Sequence, residues 1–181
     1  LDGKPSYLFV AIDRCTRLMF YWVYENKTSE NTGDFLDKCL EFFPFVITHI
    51  LTDNGLEFTN RLLKSKKGQA CQKLSKMDKK CVENNIDHRL TAPFTPKTNG
   101  MVERANGIIK SNTILITQYQ SLNEMKEDLA RFLIYYNIER RHGSIRKELN
   151  VKTPCNAVEK WYELKPEIFK ITPIEFKNKI L

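Results

Sequence analysis

The chain has 181 residues, 41% apolar and 28% charged, enough to bury one core and too ordinary in composition for a disordered or fibrous protein. No apolar run approaches the ~18 residues of a membrane-spanning helix, and the opening Leu1-Asp2-Gly3-Lys4-Pro5 lacks the basic-then-apolar layout of a signal peptide, so a soluble, non-secreted protein is expected. The net charge of +7 and pI near 9.1 favour a polyanionic partner, nucleic acid or an acidic protein surface, while Cys15, Cys39, Cys71, Cys81 and Cys155, without a C-x-x-C pair, fit reduced thiols better than disulfides or zinc.

Tyr7 to Ile12 is a bounded apolar run, followed by a polar break from Asp13 to Arg17 and an aromatic-rich run from Leu18 to Tyr24; together they predict a hairpin. Phe35, Leu36, Cys39, Leu40 and Phe43 recur at helical spacing behind the capping candidates Thr28 and Ser29, and Pro44 should stop that helix. Val46 to Thr52 reads as a β-branched strand ending on the turn-forming Asp53-Asn54-Gly55. From Arg61 to Lys80 the chain is strongly basic with only Asp78 opposing; a solvated surface beginning as a loop around Gly68 is the plain reading and DNA contact the sharper one. Asp87 to Leu90 predicts a short strand, and Pro93 and Pro96 an extended loop.

Asn99 is placed to cap a helix whose apolar stripe is Val102, Ala105, Ile108, Ile109, Leu115 and Ile116. Glu103, Asn106, Gly107 and Lys110 then share its opposite face. Ser121 with Glu124 forms a capping box ahead of Leu122, Met125, Leu129, Phe132, Leu133 and Tyr136, a second amphipathic helix.

Asp53 and Glu103 stand out chemically. Open α/β sheets gather ligands at the carboxyl ends of their strands, where Asp53 falls, and Glu103 is on the exposed face of a helix that begins just after a loop. Paired carboxylates supply the hard oxygens that Mg²⁺ or Mn²⁺ needs in phosphoryl transfer on DNA, although most acidic residues simply solvate a surface. His49, His88 and His142 lack metal-pair spacing and read as core or surface residues. No G-x-S-x-G elbow or Gly-rich phosphate loop is present.

LTDNGLEF (Leu51–Phe58) and HRLTAPFTPKTNGMVERANGIIK (His88–Lys110) resemble the second and third motifs of the D,D-E superfamily, in particular bacterial insertion-sequence transposases related to retroviral integrases. YLFVAIDRCTR (Tyr7–Arg17) is similar to their second strand and turn, and YYNIERRHGSI (Tyr135–Ile145) and KTPCNAVEKW (Lys152–Trp161) to the tail that follows the core. The resemblance implies an α/β, ribonuclease-H-like mixed sheet flanked by helices, with residues 1–137 as the catalytic core and residues 138–181 as a short helical tail. It further implies Asp53 and Glu103 as the second and third catalytic carboxylates holding Mg²⁺ or Mn²⁺, Asn54, Gly55, Asn99 and Gly100 as residues shaping the site, and Asn99, Arg104 and Lys110 as DNA contacts. DNA ends and target are the implied partners, a homo-oligomer the implied assembly, and a bacterial cytoplasm, at the nucleoid, the implied setting.

Two departures from the pattern stand out. The spacing between the second and third carboxylates is longer than in the retroviral relatives, with the extra length in the basic segment. The family's first aspartate lies in a strand before Tyr7, which is expected to be missing here, leaving a core incomplete at its N-terminus; neither Asp2 nor Asp13 substitutes for it. Without that strand the centre of the sheet should be unfilled. The leading expectation is therefore a polynucleotidyl transferase core for DNA integration or transposition, with a catalytically dead remnant that at most binds DNA or an intact transposase as the alternative, and a host nuclease on the same fold as a third.

Overall fold

The computed structural model describes residues 5–63, 71, 73–92 and 100–181. In chain order the elements are β1 (Tyr7–Ile12), β2 (Met19–Tyr24), α1 (Ser29–Phe42), β3 (His49–Thr52), α2 (Lys76–Glu83), β4 (Asp87–Leu90), α3 (Gly100–Asn112), α4 (Leu122–Ile138), α5 (Gly143–Leu149), α6 (Pro154–Leu164), a 3-10 turn (Pro166–Ile168) and α7 (Pro173–Ile180).

β1 and β2 pair antiparallel, from Tyr7 opposite Tyr24 to Ile12 opposite Met19. Their near-continuous apolar sequence is explained by burial on both faces, because successive side chains point to opposite sides of a strand. Tyr7, Phe9, Ala11, Phe20 and Tyr24 pack with Phe35 and Cys39 of α1. Leu8, Val10, Ile12, Met19, Tyr21 and Val23 pack with Ala105 and Ile109 of α3 and with Met125, Leu129, Phe132 and Tyr136 of α4. The turn between the strands is held by Asp13, whose Oδ2 accepts the Cys15 and Thr16 amides and the Thr16 hydroxyl; Arg17 adopts φ 62° there. Asp13 thus serves the turn, as a short polar side chain does at such positions.

β3 and β4 form a separate parallel pair, from His49 opposite Asp87 to Thr52 opposite Leu90. Among the described residues no strand joins β1 to β3. β3 is shorter than the expected Val46–Thr52, because Phe45 bridges Phe169 and the Val46 amide bonds to the Ile168 carbonyl at 2.8 Å. The tail diverts the start of that run.

The helix starts follow local chemistry. The Thr28 side chain accepts the Asn31 amide at the head of α1, and the Ser121 side chain accepts the Glu124 amide at the head of α4. Glu124 reaches back to the amide of Gln120, one residue before the cap. α3 ends at Asn112, so Leu115 and Ile116 are exposed instead of extending its stripe. The Leu115 amide instead closes back on the Lys110 carbonyl at 2.9 Å. Within the basic stretch the structure holds a helix that the charge pattern concealed: α2 is capped by Ser75, whose side chain accepts the Asp78 amide, and buries Met77 and Cys81. Residues 64–70 and 72, with Gly68 and its expected loop, lie outside the described residues, as does the loop at Pro93 and Pro96.

The tail shares the core of the preceding elements. Cys155 and Val158 of α6 and Phe176 of α7 belong to the cluster around Phe9, Leu18, Phe20 and Phe35. No helix among the described residues is long and apolar enough to cross a membrane.

Candidate active site

Asp53 follows the last residue of β3 and is exposed to solvent. Its Oδ1 accepts the Gly55 amide at 2.9 Å, closing a side-chain turn that aims the carboxylate outward. Gly55 leaves room for this: a Cβ there would lie 2.6 Å from Glu57 Oε2 and 3.0 Å from Asp53 Oδ1. The Asn54 side chain donates to the Thr91 carbonyl at 3.2 Å, and the Thr91 amide donates to the Thr52 carbonyl at 2.9 Å. The strand-end turn carrying Asp53 is therefore tied to the chain leaving β4, the segment that leads on to α3.

α3 packs against β1, burying Ala105 and Ile109. Glu103 lies in its first turn with its side chain exposed, next to exposed Arg104, and Lys110 is exposed in its last turn. The expected face of Glu103, Gly107 and Lys110 does point away from the core, with Asn106 half-buried and bonded to the Val102 carbonyl at 3.2 Å. Asn99 lies outside the described residues. Among those described, no hydrogen bond or ion pair joins Asp53 to Glu103, and no group of three His, Cys, Asp or Glu side chains gathers into a metal cage.

The donor chemistry nevertheless suits a hard divalent cation. Asp53 Oδ2 and the Glu103 carboxylate have no protein partner among the described residues, and both are exposed carboxylate oxygens of the type Mg²⁺ and Mn²⁺ prefer.

Behind Asp53 lies a buried polar cluster that no sequence motif marks. His88 on β4, read from the sequence only as a core or surface histidine, is buried, with Nε2 2.9 Å from the hydroxyl of Thr52 and Nδ1 2.8 Å from Asp78 Oδ1. Asp78, also buried, accepts from Arg61 Nη2 at 2.6 Å and from the Ser75 and Thr59 hydroxyls at 2.9 and 3.3 Å. Arg61 Nη1 donates to the His88 carbonyl at 2.9 Å. Burial pushes the Asp78 carboxyl upward, but the His88 and Ser75 hydrogen bonds and the Arg61 charge outweigh it and hold it below the usual aspartate range. The only local signal was the Ser75-x-x-Asp78 spacing of a helix start, with Asp78 as the single acid in a basic run.

An antiparallel and a parallel strand pair flanked by helices give this chain the ribonuclease-H-like fold of retroviral integrase catalytic cores. The fold matches the crystal structure of the catalytic core domain of BIV integrase with a TM-score of 0.62 at 17% identity, over 90% of this chain and 91% of that one. It also matches a chain of the simian T-cell lymphotropic virus intasome in complex with PP2A regulatory subunit B56 gamma, with a TM-score of 0.56 at 20% identity over 86% of this chain and 46% of that one.

Residues 1–96 match the integrase core domain family and residues 84–154 a second family of the same description, so the chain belongs to the integrase core domain family. It is 29% identical over 157 residues to "Putative integrase ORF3" of Spiroplasma virus SpV1-C74, covering 84% of this chain and 42% of that protein. It is 29% identical over 173 residues to the intracisternal A-particle Pol-related polyprotein of mouse intracisternal A-particle MIA14, covering 88% of this chain and 17% of that protein. The chain thus spans less than half the length of these relatives.

Proposed function

We propose that this chain acts in DNA integration or transposition, as the metal-binding core of an enzyme that hydrolyses a phosphodiester at an element's end and joins the freed 3′ hydroxyl to target DNA. The observation that carries the reading is the exposed Asp53 carboxylate at the carboxyl end of β3 in an integrase core domain. Asp53 and Glu103 would hold Mg²⁺ or Mn²⁺, which activates the attacking oxygen and stabilises the leaving one.

The chain's own residues supply orientation. The Gly55 amide fixes Asp53 Oδ1, and Asn54 couples the strand end to Thr91. Lys110, Arg104 and Asn99 meet the phosphate backbone, which positions the duplex without reading its sequence. DNA ends and target DNA are the substrates, paired copies of the protein the working assembly, and the nucleoid of a bacterial cytoplasm the setting.

The test is nicking and strand transfer on DNA in Mg²⁺ or Mn²⁺ by a full-length form of the protein, comparing wild type with Asp53→Asn and Glu103→Gln. Both variants are expected to lose metal-dependent activity while keeping their thermal midpoint; retained activity in either overturns the assignment of that carboxylate.

A further inference from the structure

The polar cluster behind the strand end runs in one direction. Arg61 Nη2 and the Thr59 hydroxyl donate to the Asp78 carboxylate, the Ser75 hydroxyl lies between it at 2.9 Å and the Phe58 carbonyl at 2.7 Å, and His88 Nδ1 lies 2.8 Å from Oδ1. A carboxylate only accepts, so Nδ1 is the donor in that pair. His88 Nε2 then meets the Thr52 hydroxyl at 2.9 Å, and that hydroxyl lies 3.0 Å from the backbone carbonyl of Asp53. Thr52 has one hydroxyl proton, so it donates to the Asp53 carbonyl only when His88 Nε2 supplies a proton of its own. With the neutral ring the hydroxyl donates to Nε2, so in either protonation state His88 holds the side chain of Thr52, the last residue of β3 and the chain neighbour of Asp53.

His88, Asp78 and Thr52 are all buried, and a buried polar network favours one geometry because any partner left unpaired is costly. An ordinary structural network would need only to join α2 to the sheet, and the Asp78–His88 contact alone achieves that. The Thr52 contact adds a hold on the residue that immediately precedes Asp53.

We propose that Asp78 and His88 are positioning residues, which act through the Thr52 hydroxyl to orient the Asp53 carboxylate for a divalent cation. The inference rests on Asp53 being a metal ligand. Groups that orient a ligand in this way change metal affinity by roughly tenfold or more when removed.

Four variants separate positioning from folding. His88→Asn keeps an amide near the Nδ1 position, towards Asp78, and loses the Thr52 contact; His88→Gln keeps an amide near Nε2, towards Thr52. Thr52→Val deletes the hydroxyl, and Thr52→Ser restores it. Mn²⁺ binding is followed by the electron paramagnetic resonance signal of the free ion, with Asp53→Asn as control and thermal midpoints measured in parallel. His88→Asn and Thr52→Val are expected to weaken Mn²⁺ binding by about tenfold, while His88→Gln and Thr52→Ser stay near wild type, whatever the order of their midpoints.

If wild type binds Mn²⁺ more tightly than Asp53→Asn but affinity follows thermal stability instead of the Thr52 contact, the positioning role is overturned and Asp53 remains a ligand. If wild type binds no more tightly than Asp53→Asn, the metal-site reading fails and this inference falls with it.

Discussion

The side chain of Asn137 on α4 clasps the backbone of Met19 at the start of β2: its Oδ1 accepts the Met19 amide at 2.9 Å and its Nδ2 donates to the Met19 carbonyl at 2.8 Å. Both residues are fully buried. Asn137→Ala leaves two buried backbone groups unpaired, a loss of about 2 to 4 kcal/mol. Chemical denaturation should show that drop in the midpoint; a loss below about 1 kcal/mol, the worth of one ordinary hydrogen bond, would sink the argument.

Phe176 anchors the tail. It is 1% exposed and meets Phe42 edge-on with ring centroids 5.5 Å apart. Phe176→Ala should cost about 3 to 5 kcal/mol, the usual range for emptying a buried aromatic site. One cooperative unfolding transition, shifted as a whole, is expected; loss of the tail's helicity alone at unchanged core stability would show that the two parts fold independently.

Acid stability should follow Asp78. Its folded-state carboxyl titrates below the ordinary aspartate value, so the unfolded chain binds the proton first. The stabilisation is therefore complete above the unfolded pKa and is lost as pH falls through the folded one. Asp78→Asn should lower the thermal midpoint at neutral pH and flatten its decline in acid. Parallel midpoint curves for both proteins between about pH 2 and 7 would contradict the network's charge.

His142 should add a second limb at higher pH. Burial, and then the Arg140 and Arg17 charges, push its imidazole down to about 4, and its Nε2 is buried without a partner among the described residues. Folding then favours the neutral ring, so stability is fully present above the unfolded value of about 6.5 and declines as pH falls towards the folded one. His142→Gln removes that proton, and its midpoint should vary less with pH across this window than the wild type's.

Lys110 should matter to binding and not to folding, since it is exposed at the end of α3. If it neutralises one phosphate, Lys110→Ala lowers the slope of log affinity against log salt by about one, uniformly across DNA sequences. An unchanged slope in fluorescence anisotropy titrations would remove it from the interface.

Much of this was legible in the chain itself. The hairpin, α1, α4 and their caps follow from apolar spacing and from Thr28, Ser121 and Pro44, because such signals act within a few residues. Asp53 could be placed at a strand end because Asp53-Asn54-Gly55 is turn chemistry after a β-branched run. The exposed face of Glu103 and Lys110 follows from helical period alone.

What the chain could not display depends on partners distant in sequence. Val46 looks like strand, but its amide is taken by Ile168, more than a hundred residues on. Arg61 reads as one of many solvated cations, yet it is bound to a buried aspartate. Leu115 and Ile116 fit an apolar stripe, but α3 ends before them. His88 shows no metal spacing, and its meaning appears only when β4 lies parallel to β3 and α2 brings Asp78 beneath it. Local sequence determines which segments become helix, strand and turn, since capping and periodicity are short-range; only tertiary packing decides which polar groups are buried together, because burial is a property of the neighbours and not of the residue.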